Sequence, residues 1–311
     1  IYLLFYFGDV LNSEIDKNYK LASAYYIAKI HANKIKDISQ DKELNSAFRN
    51  YLEQAPDGRL AVEAAKNWIK YNNKLNSKDL TLVARAYSYA KLNTEAEEIL
   101  GKTKIENSWA IQAVNSYEKR DYDAVRDYVE TGISQYSQGI SSQDYKNAIN
   151  TYLKLDNSSG GITKLFNIAK GENKDYLWAL QCENLIGSNK YSCYKNFYNT
   201  YPNSEYAQTA LANIFMGNIL ERNYPKAKEV GNLYFSKFAN GENSDMIMFW
   251  RAKIEHIYVH NPRYASYYQE IINNYPDSYY AYRAFWILKR FHNSVINVNL
   301  DYKSVEYPYT Y

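Results

Sequence analysis

His256 and His260 stand four residues apart in a segment of helical periodicity, a spacing at which two imidazoles share one helix face and can bind one metal ion. A third ligand is not apparent and the HExxH arrangement is missing, so two structural histidines are the stronger reading. His31 and His292 stand alone. Cys182 and Cys193 are 11 residues apart, with a turn expected near Gly187-Ser188-Asn189, so they face each other across one antiparallel helix hairpin. Two buried thiols are weighted above a disulfide, because one residue of error in helix phase turns a side chain by about 100°. CxxC spacing is absent, which removes the thioredoxin and zinc-ribbon readings. The glycine patterns of phosphate loops and the GxSxG elbow are absent as well. No catalytic, cofactor-binding or metal-binding residue is therefore expected.

Aromatic clusters are the remaining signal. Tyr279, Tyr282 and Trp286 crowd one helix start, and Tyr264 and Tyr267 crowd the helix before it. Rings placed in this way can stack on sugars or hold a peptide. These five residues are the candidate ligand or partner surface, with packing between repeats as the competing explanation. Trp250 and Trp286 are expected to be core side chains on that competing view.

The elements that would carry these residues are helices. Ala207, Ala210, Leu211, Ile214, Phe215 and Ile219 line one face of 204–222. Tyr122, Val125, Val129, Ile133 and Tyr136 do so in 122–136, and Ala265, Tyr268, Ile272 and Tyr275 in 262–275. Strand-like alternation is missing. A turn signature recurs: Ala55-Pro56-Asp57-Gly58, Tyr201-Pro202-Asn203-Ser204 and Tyr275-Pro276-Asp277-Ser278. Proline cannot continue the preceding helix, and Asn or Asp followed by Ser or Gly supplies the next cap. The offsets are near multiples of 37, and Trp109, Trp178, Trp250 and Trp286 follow a similar spacing. The fold class is all-α: a solenoid or superhelix of about eight tetratricopeptide-like helix pairs over 16–292. One hairpin cannot bury its apolar face alone, so stacked neighbours share a core. Ser158-Ser159-Gly160-Gly161 is expected to be a flexible junction.

The 311 residues carry 37 basic and 34 acidic side chains, a formal net charge of +3. That balance leaves no electrostatic footprint for nucleic acid. Residues 1–15 open with a seven-residue apolar run, Ile1 to Phe7, read either as a buried helix turn or as the end of a signal or anchor segment. Residues 293–311 lose periodicity and are read as a linker.

Several segments are similar to the superhelical domain of soluble lytic murein transglycosylases. They are the run Tyr268 to Ala284 around Tyr275-Pro276-Asp277-Ser278, the run Phe48 to Ala61 with Trp68-Ile69 following, Trp250-Arg251-Ala252-Lys253, and the closing Tyr307-Pro308-Tyr309. The resemblance covers most of the chain in the family's order, although other tetratricopeptide-like proteins share tyrosine-proline turns. It implies a parent protein that cleaves the MurNAc–GlcNAc bond of peptidoglycan with formation of a 1,6-anhydro product. It also implies a periplasmic or envelope location and a lysozyme-like catalytic domain after residue 311; whether a segment upstream of residue 1 anchors the chain to a membrane stays open between the two readings of the apolar start. The family's catalytic Glu-Ser dipeptide occurs nowhere in the chain, so no catalytic residue carries over. On this reading the chain is the non-catalytic superhelix that docks the catalytic domain and positions glycan strands. The alternative is a tetratricopeptide-like envelope adaptor that binds a protein partner without an enzymatic domain. A cytosolic scaffold is the third reading.

Overall fold

The computed structural model describes residues 16–136, 140–156, 159–170 and 174–292. The apolar start and the expected linker at 293–311, Tyr307-Pro308-Tyr309 included, lie outside the described residues. Sixteen α-helices and no strand are present among the described residues, an all-α, solenoid-like arrangement. They are α1 Lys17–Ile35, α2 Lys42–Gln54, α3 Ala61–Tyr71, α4 Ser77–Tyr89, α5 Asn93–Leu100, α6 Ile105–Glu118, α7 Tyr122–Gln135, α8 Ser142–Leu155 and α9 Ser159–Ile168. Then come α10 Lys174–Glu183, α11 Gly187–Thr200, α12 Ala207–Leu220, α13 Tyr224–Lys237, α14 Ser244–Lys253, α15 Tyr264–Asn274 and α16 Tyr279–His292. A π-helical turn, Ile254–Tyr258, extends α14. Where the repeat reading runs one array over 16–292, the chain divides into two compact units, parted between Lys174 and Asp175. Within each unit a helix typically packs on the next helix and on the one after it.

Two turn types build the hairpins. The tight type joins α4 to α5, α6 to α7 and α12 to α13. Lys91, Arg120 and Arg222 adopt left-handed φ values of 59°, 63° and 58° there. Each helix end is closed by a Schellman bond, Leu92 N to Tyr87 O, Asp121 N to Ser116 O and Asn223 N to Asn218 O. The other type is the Tyr-Pro turn. Tyr201 N donates to Phe197 O, Ser204 N to Tyr201 O and Ala207 N to Ser204 O; the turns after Tyr51 and Ile271 repeat the first two bonds. A further copy begins at Phe238, midway between Tyr201 and Tyr275 and 37 residues from each, with Ala239 where the others have proline. The sequence signature misses it because the bonds require the backbone course, not the pyrrolidine ring.

All four copies bury a small residue six positions on: Ala61, Ala207, Ser244 and Ala281. Four residues before each turn sits a large buried one, Tyr51, Phe197, Tyr234 or Ile271. The small side chain lets the outgoing helix approach the large side chains of the incoming one. Glycines extend the rule. At Gly132 on α7 a Cβ would stand 2.1 Å from Cδ2 of the fully buried Trp109; at Gly217 on α12 it would stand 2.7 Å from Tyr191 Cγ. The expected junction at Ser158-Ser159-Gly160-Gly161, of which Ser158 lies outside the described residues, also differs from expectation. Gly160 and Gly161 lie inside α9, and a Cβ on Gly161 would stand 2.6 Å from the Asp156 carbonyl oxygen. Glycine is needed there for close approach rather than for a hinge.

Glycine to alanine within a helix ordinarily gains about 0.5–1 kcal/mol. Gly132→Ala is expected to reverse that sign and cost about 1–3 kcal/mol by overpacking. Gly101→Ala, whose Cβ would meet nothing closer than 3.6 Å, is expected to gain a few tenths of a kcal/mol. Urea denaturation of both variants checks the contrast, and equal effects would remove the close-packing explanation.

Candidate functional site

The sequence-selected aromatics do not form one groove. Tyr264 stacks on His256, with centroids 3.8 Å apart and planes 6° from parallel, and meets Tyr268 edge-on. Its ring is used in packing. Tyr279 contacts Tyr280 and lies beneath Arg283. Tyr282 meets Trp286 edge-on at 6.2 Å, and Lys289 Nζ lies 4.7 Å from the Trp286 centroid. Tyr267 instead lines a separate cleft described below. Trp286 is 45% exposed, which corrects its expectation as a core side chain: it lies on the outward face of α16, whereas Ala281, Ala284 and Leu288 face inward. Trp250 is half-buried between two hydrophobic clusters.

The histidine pair is separated by local backbone. The π turn inserts an extra residue into the ladder, with Val259 N bonding to Ile254 O, and His260 sits at φ 55° in the turn beyond it. Four residues of spacing therefore do not put the two imidazoles on one helical face. Among the described residues no group of three His, Cys, Asp or Glu side chains is placed to hold a metal ion. His31 is exposed on α1.

Cys182 and Cys193 form a disulfide between α10 and α11, with Cα atoms 5.4 Å apart. The connection lies at 184–186, earlier than the sequence implies, because Gly187, at φ 59°, already opens α11. Beside the disulfide, Tyr194 donates to Glu183 Oε2 at 2.7 Å and Lys190 pairs with Glu183 Oε1 at 2.8 Å. Burial, reinforced by Glu183, pushes the Tyr194 phenol far above its usual value.

Two clefts remain. In the first unit, a cleft of about 470 Å³ is lined by polar groups of α2, α4 and the start of α8. Arg49 makes a two-pronged pair with Asp79, Nε to Oδ1 at 2.8 Å and Nη2 to Oδ2 at 3.0 Å. Asn76 Nδ2 donates to the same Oδ2. Arg85 is buried; its Nη1 reaches Asp144 Oδ2 at 3.0 Å and its Nη2 reaches Leu52 O at 2.7 Å. A cation thereby meets the carbonyl end of α2 and an acid in the first turn of α8, both favourable for the helix dipoles. These charges tie helices together.

In the second unit, a cleft of about 380 Å³ lies between α13, α14 and α15. Lys228 and Phe235 come from α13, Met248, Arg251 and Ala252 from α14, Glu255 from the π turn, and Tyr267 and Glu270 from α15. The hydrogen bond from Lys228, 2.5 Å long, holds Glu255 below the usual carboxylate range, and Asn261 Nδ2 donates to its other oxygen. The Arg251 guanidinium lies 5.5 Å from the Phe235 ring centroid. Desolvation lowers its pKa, yet a guanidinium stays protonated in proteins. In the sequence Arg251 stands out only as part of the family-like Trp250-Arg251-Ala252-Lys253 run. The signal that could have found the cleft is Gly231, a glycine inside a helical pattern.

Trp286→Ala is expected to change stability by less than about 1 kcal/mol, whereas Trp109→Ala, which removes a fully buried ring, is expected to cost about 3–5 kcal/mol. Thermal melts of the two variants distinguish an outward from an inward tryptophan.

No protein-family model matches the chain, and neither the curated proteins nor the solved structures contain a significant match.

Proposed function

We propose that the chain is a non-catalytic helical-repeat scaffold of the cell envelope, the superhelical part of a peptidoglycan lytic transglycosylase. It docks a lysozyme-like domain of the same protein and helps position glycan strands. The observation that carries the scaffold role is the turn recurring at Tyr201, Phe238 and Tyr275, each copy followed by a buried small residue. A stack built this way presents broad surfaces from rigid helices. The order of the family-like motifs supports the peptidoglycan assignment. The Cys182–Cys193 disulfide supports an oxidising compartment. No helix among the described residues is long and apolar enough to cross a membrane.

The 1–311 chain is expected to co-sediment with purified peptidoglycan sacculi while releasing no soluble anhydro-muropeptides, since glycosidic cleavage needs a positioned acid. A chain that stays in the supernatant would sink the glycan role and leave a protein-binding adaptor. Release of anhydro-muropeptides would overturn the non-catalytic assignment.

The compartment has its own test. Protein purified from the envelope fraction and alkylated without reductant is expected to carry no label on Cys182 or Cys193. Two labelled thiols would count against an oxidising compartment. Loss of the disulfide, in the Cys182→Ser and Cys193→Ser double variant, is expected to cost roughly 3 kcal/mol by the chain-entropy model.

A further inference from the structure

Three arginines of the described residues are not exposed: Arg49, Arg85 and Arg251. The first two are each paired with a buried aspartate. Arg251 has no carboxylate within ion-pairing distance among the described residues, and no hydrogen-bond acceptor engages its guanidinium. Its guanidinium nitrogens still touch solvent, and Glu255 and Glu270 act on it electrostatically without reaching it, so Arg251 is a half-buried cation with open hydrogen-bonding positions. The helix holds it by packing alone. A Cβ on Gly231 would stand 3.1 Å from Arg251 Cδ, so the bare α13 backbone at Gly231 gives the arginine stem a track across the helix. Phe235, one turn further along α13, lies beneath the guanidinium. The stem is thus guided along one course and the guanidinium rests over a ring before any anion arrives, which lowers the ordering cost of binding one.

The rest of the cleft defines what that anion can be. Glu255 is hydrogen-bonded by Lys228 and Asn261 and attracts Arg251 from a distance, but it makes no direct pair with the guanidinium. Glu270, on the α15 wall, is exposed and attracts Arg251; it opposes any incoming anion, a dianion about twice as strongly as a singly charged one. Phe235, Met248, Ala252 and Tyr267 give the cleft apolar and aromatic walls. Its volume falls in the ~300–1,000 Å³ range of small-ligand sites. We propose that this cleft binds a monocarboxylate with an apolar body, Arg251 taking the two carboxylate oxygens in a bidentate pair and Phe235, Met248 and Tyr267 receiving the body. Guanidinium and carboxylate match in this two-pronged geometry, and a phosphate dianion does not match the charge next to Glu270. Both a peptide's C-terminus and a free organic acid present this chemistry. The assignment does not depend on sacculus binding, so either can fail alone.

The test is a titration of the full chain followed through the Arg251 Nε–H resonance, assigned by its disappearance in Arg251→Lys. The probes are acetyl-Ala-Ala-Phe with a free carboxylate, the same peptide amidated, 3-phenylpropionate and inorganic phosphate. The free-acid peptide is expected to shift the resonance saturably, and the amide and phosphate to leave it in place. Arg251→Gln is expected to weaken the free-acid peptide about tenfold or more, as loss of a charge-assisted pair implies, with an unchanged thermal melt. Gly231→Ala, which displaces the stem, is expected to weaken it while keeping the charge. Saturation by 3-phenylpropionate as well assigns a general carboxylate site; saturation by the peptide alone assigns a peptide-terminus site. Equal binding of acid and amide, tighter binding of phosphate, undiminished binding by Arg251→Gln, or no shift with any carboxylate would each overturn the proposal.

Discussion

Rings have to meet backbone in this fold, and most of the packing depends on that constraint. Trp109, Tyr191 and Phe215 each press against a glycine of a neighbouring helix, at Gly132, Gly217 and Gly231. A methyl group at Gly132 or Gly217 would overlap the ring, so the interhelical distance is set by the absence of Cβ. Alanines at Ala61, Ala207 and Ala281 and the serine at Ser244 do the same beside the longer turns. A chain so rich in tyrosine, with 35 of them, packs closely only where small residues stand opposite the rings.

Polar groups are arranged around this core by one recurring device. Tyr25, Tyr152 and Tyr194 are buried, and each donates its phenol proton to a glutamate that a lysine also engages: Glu63 with Lys29, Glu130 with Lys164, and Glu183 with Lys190. The ring is inside, its hydroxyl reaches the edge of the core, and the lysine balances the acceptor. For Tyr25 and Tyr194, burial first and the glutamate second push the phenol well above its ordinary value. The first-unit cleft follows the same economy, with Arg49 and Arg85 matched to Asp79 and Asp144. Arg251 departs from it. It shares the close approach at Gly231 with Phe215, and although Glu255 and Glu270 act on it electrostatically, no carboxylate pairs with it directly. A packing feature common to the whole fold thereby becomes, at one place, a binding feature.

Helix periodicity was legible because each amphipathic segment carries its own pattern. The apolar stripe in 122–136 puts Val125, Val129 and Ile133 inside, as their spacing requires. The Tyr-Pro turns were legible because proline and the following Asx-Ser pair act locally. The copy at Phe238 was not, since its hydrogen bonds are identical but it keeps only Asn240-Gly241 of the signature, with Ala239 in place of proline. Gly160 and Gly161 read as a hinge because glycine permits one; Asp156, close by in the fold, uses Gly161 for contact instead. The His256 and His260 spacing assumed an unbroken α-helix, and the π turn at Ile254–Tyr258 changes the phase between them.

The chain by itself determined its all-α class, the positions of most helices and the recurring turn, because these rest on interactions within a few residues. Only the tertiary structure decided which aromatics face outward, since Trp286 and Trp109 carry the same side chain and differ in which neighbours cover them. It also decided that the Cys182 and Cys193 side chains meet, because that depends on helix phase across a connection. The Arg251 cleft lies furthest from the sequence. Its residues come from α13, α14, the π turn and α15, and the absence of a direct partner for Arg251 becomes visible only when the surrounding carboxylates have been placed in space.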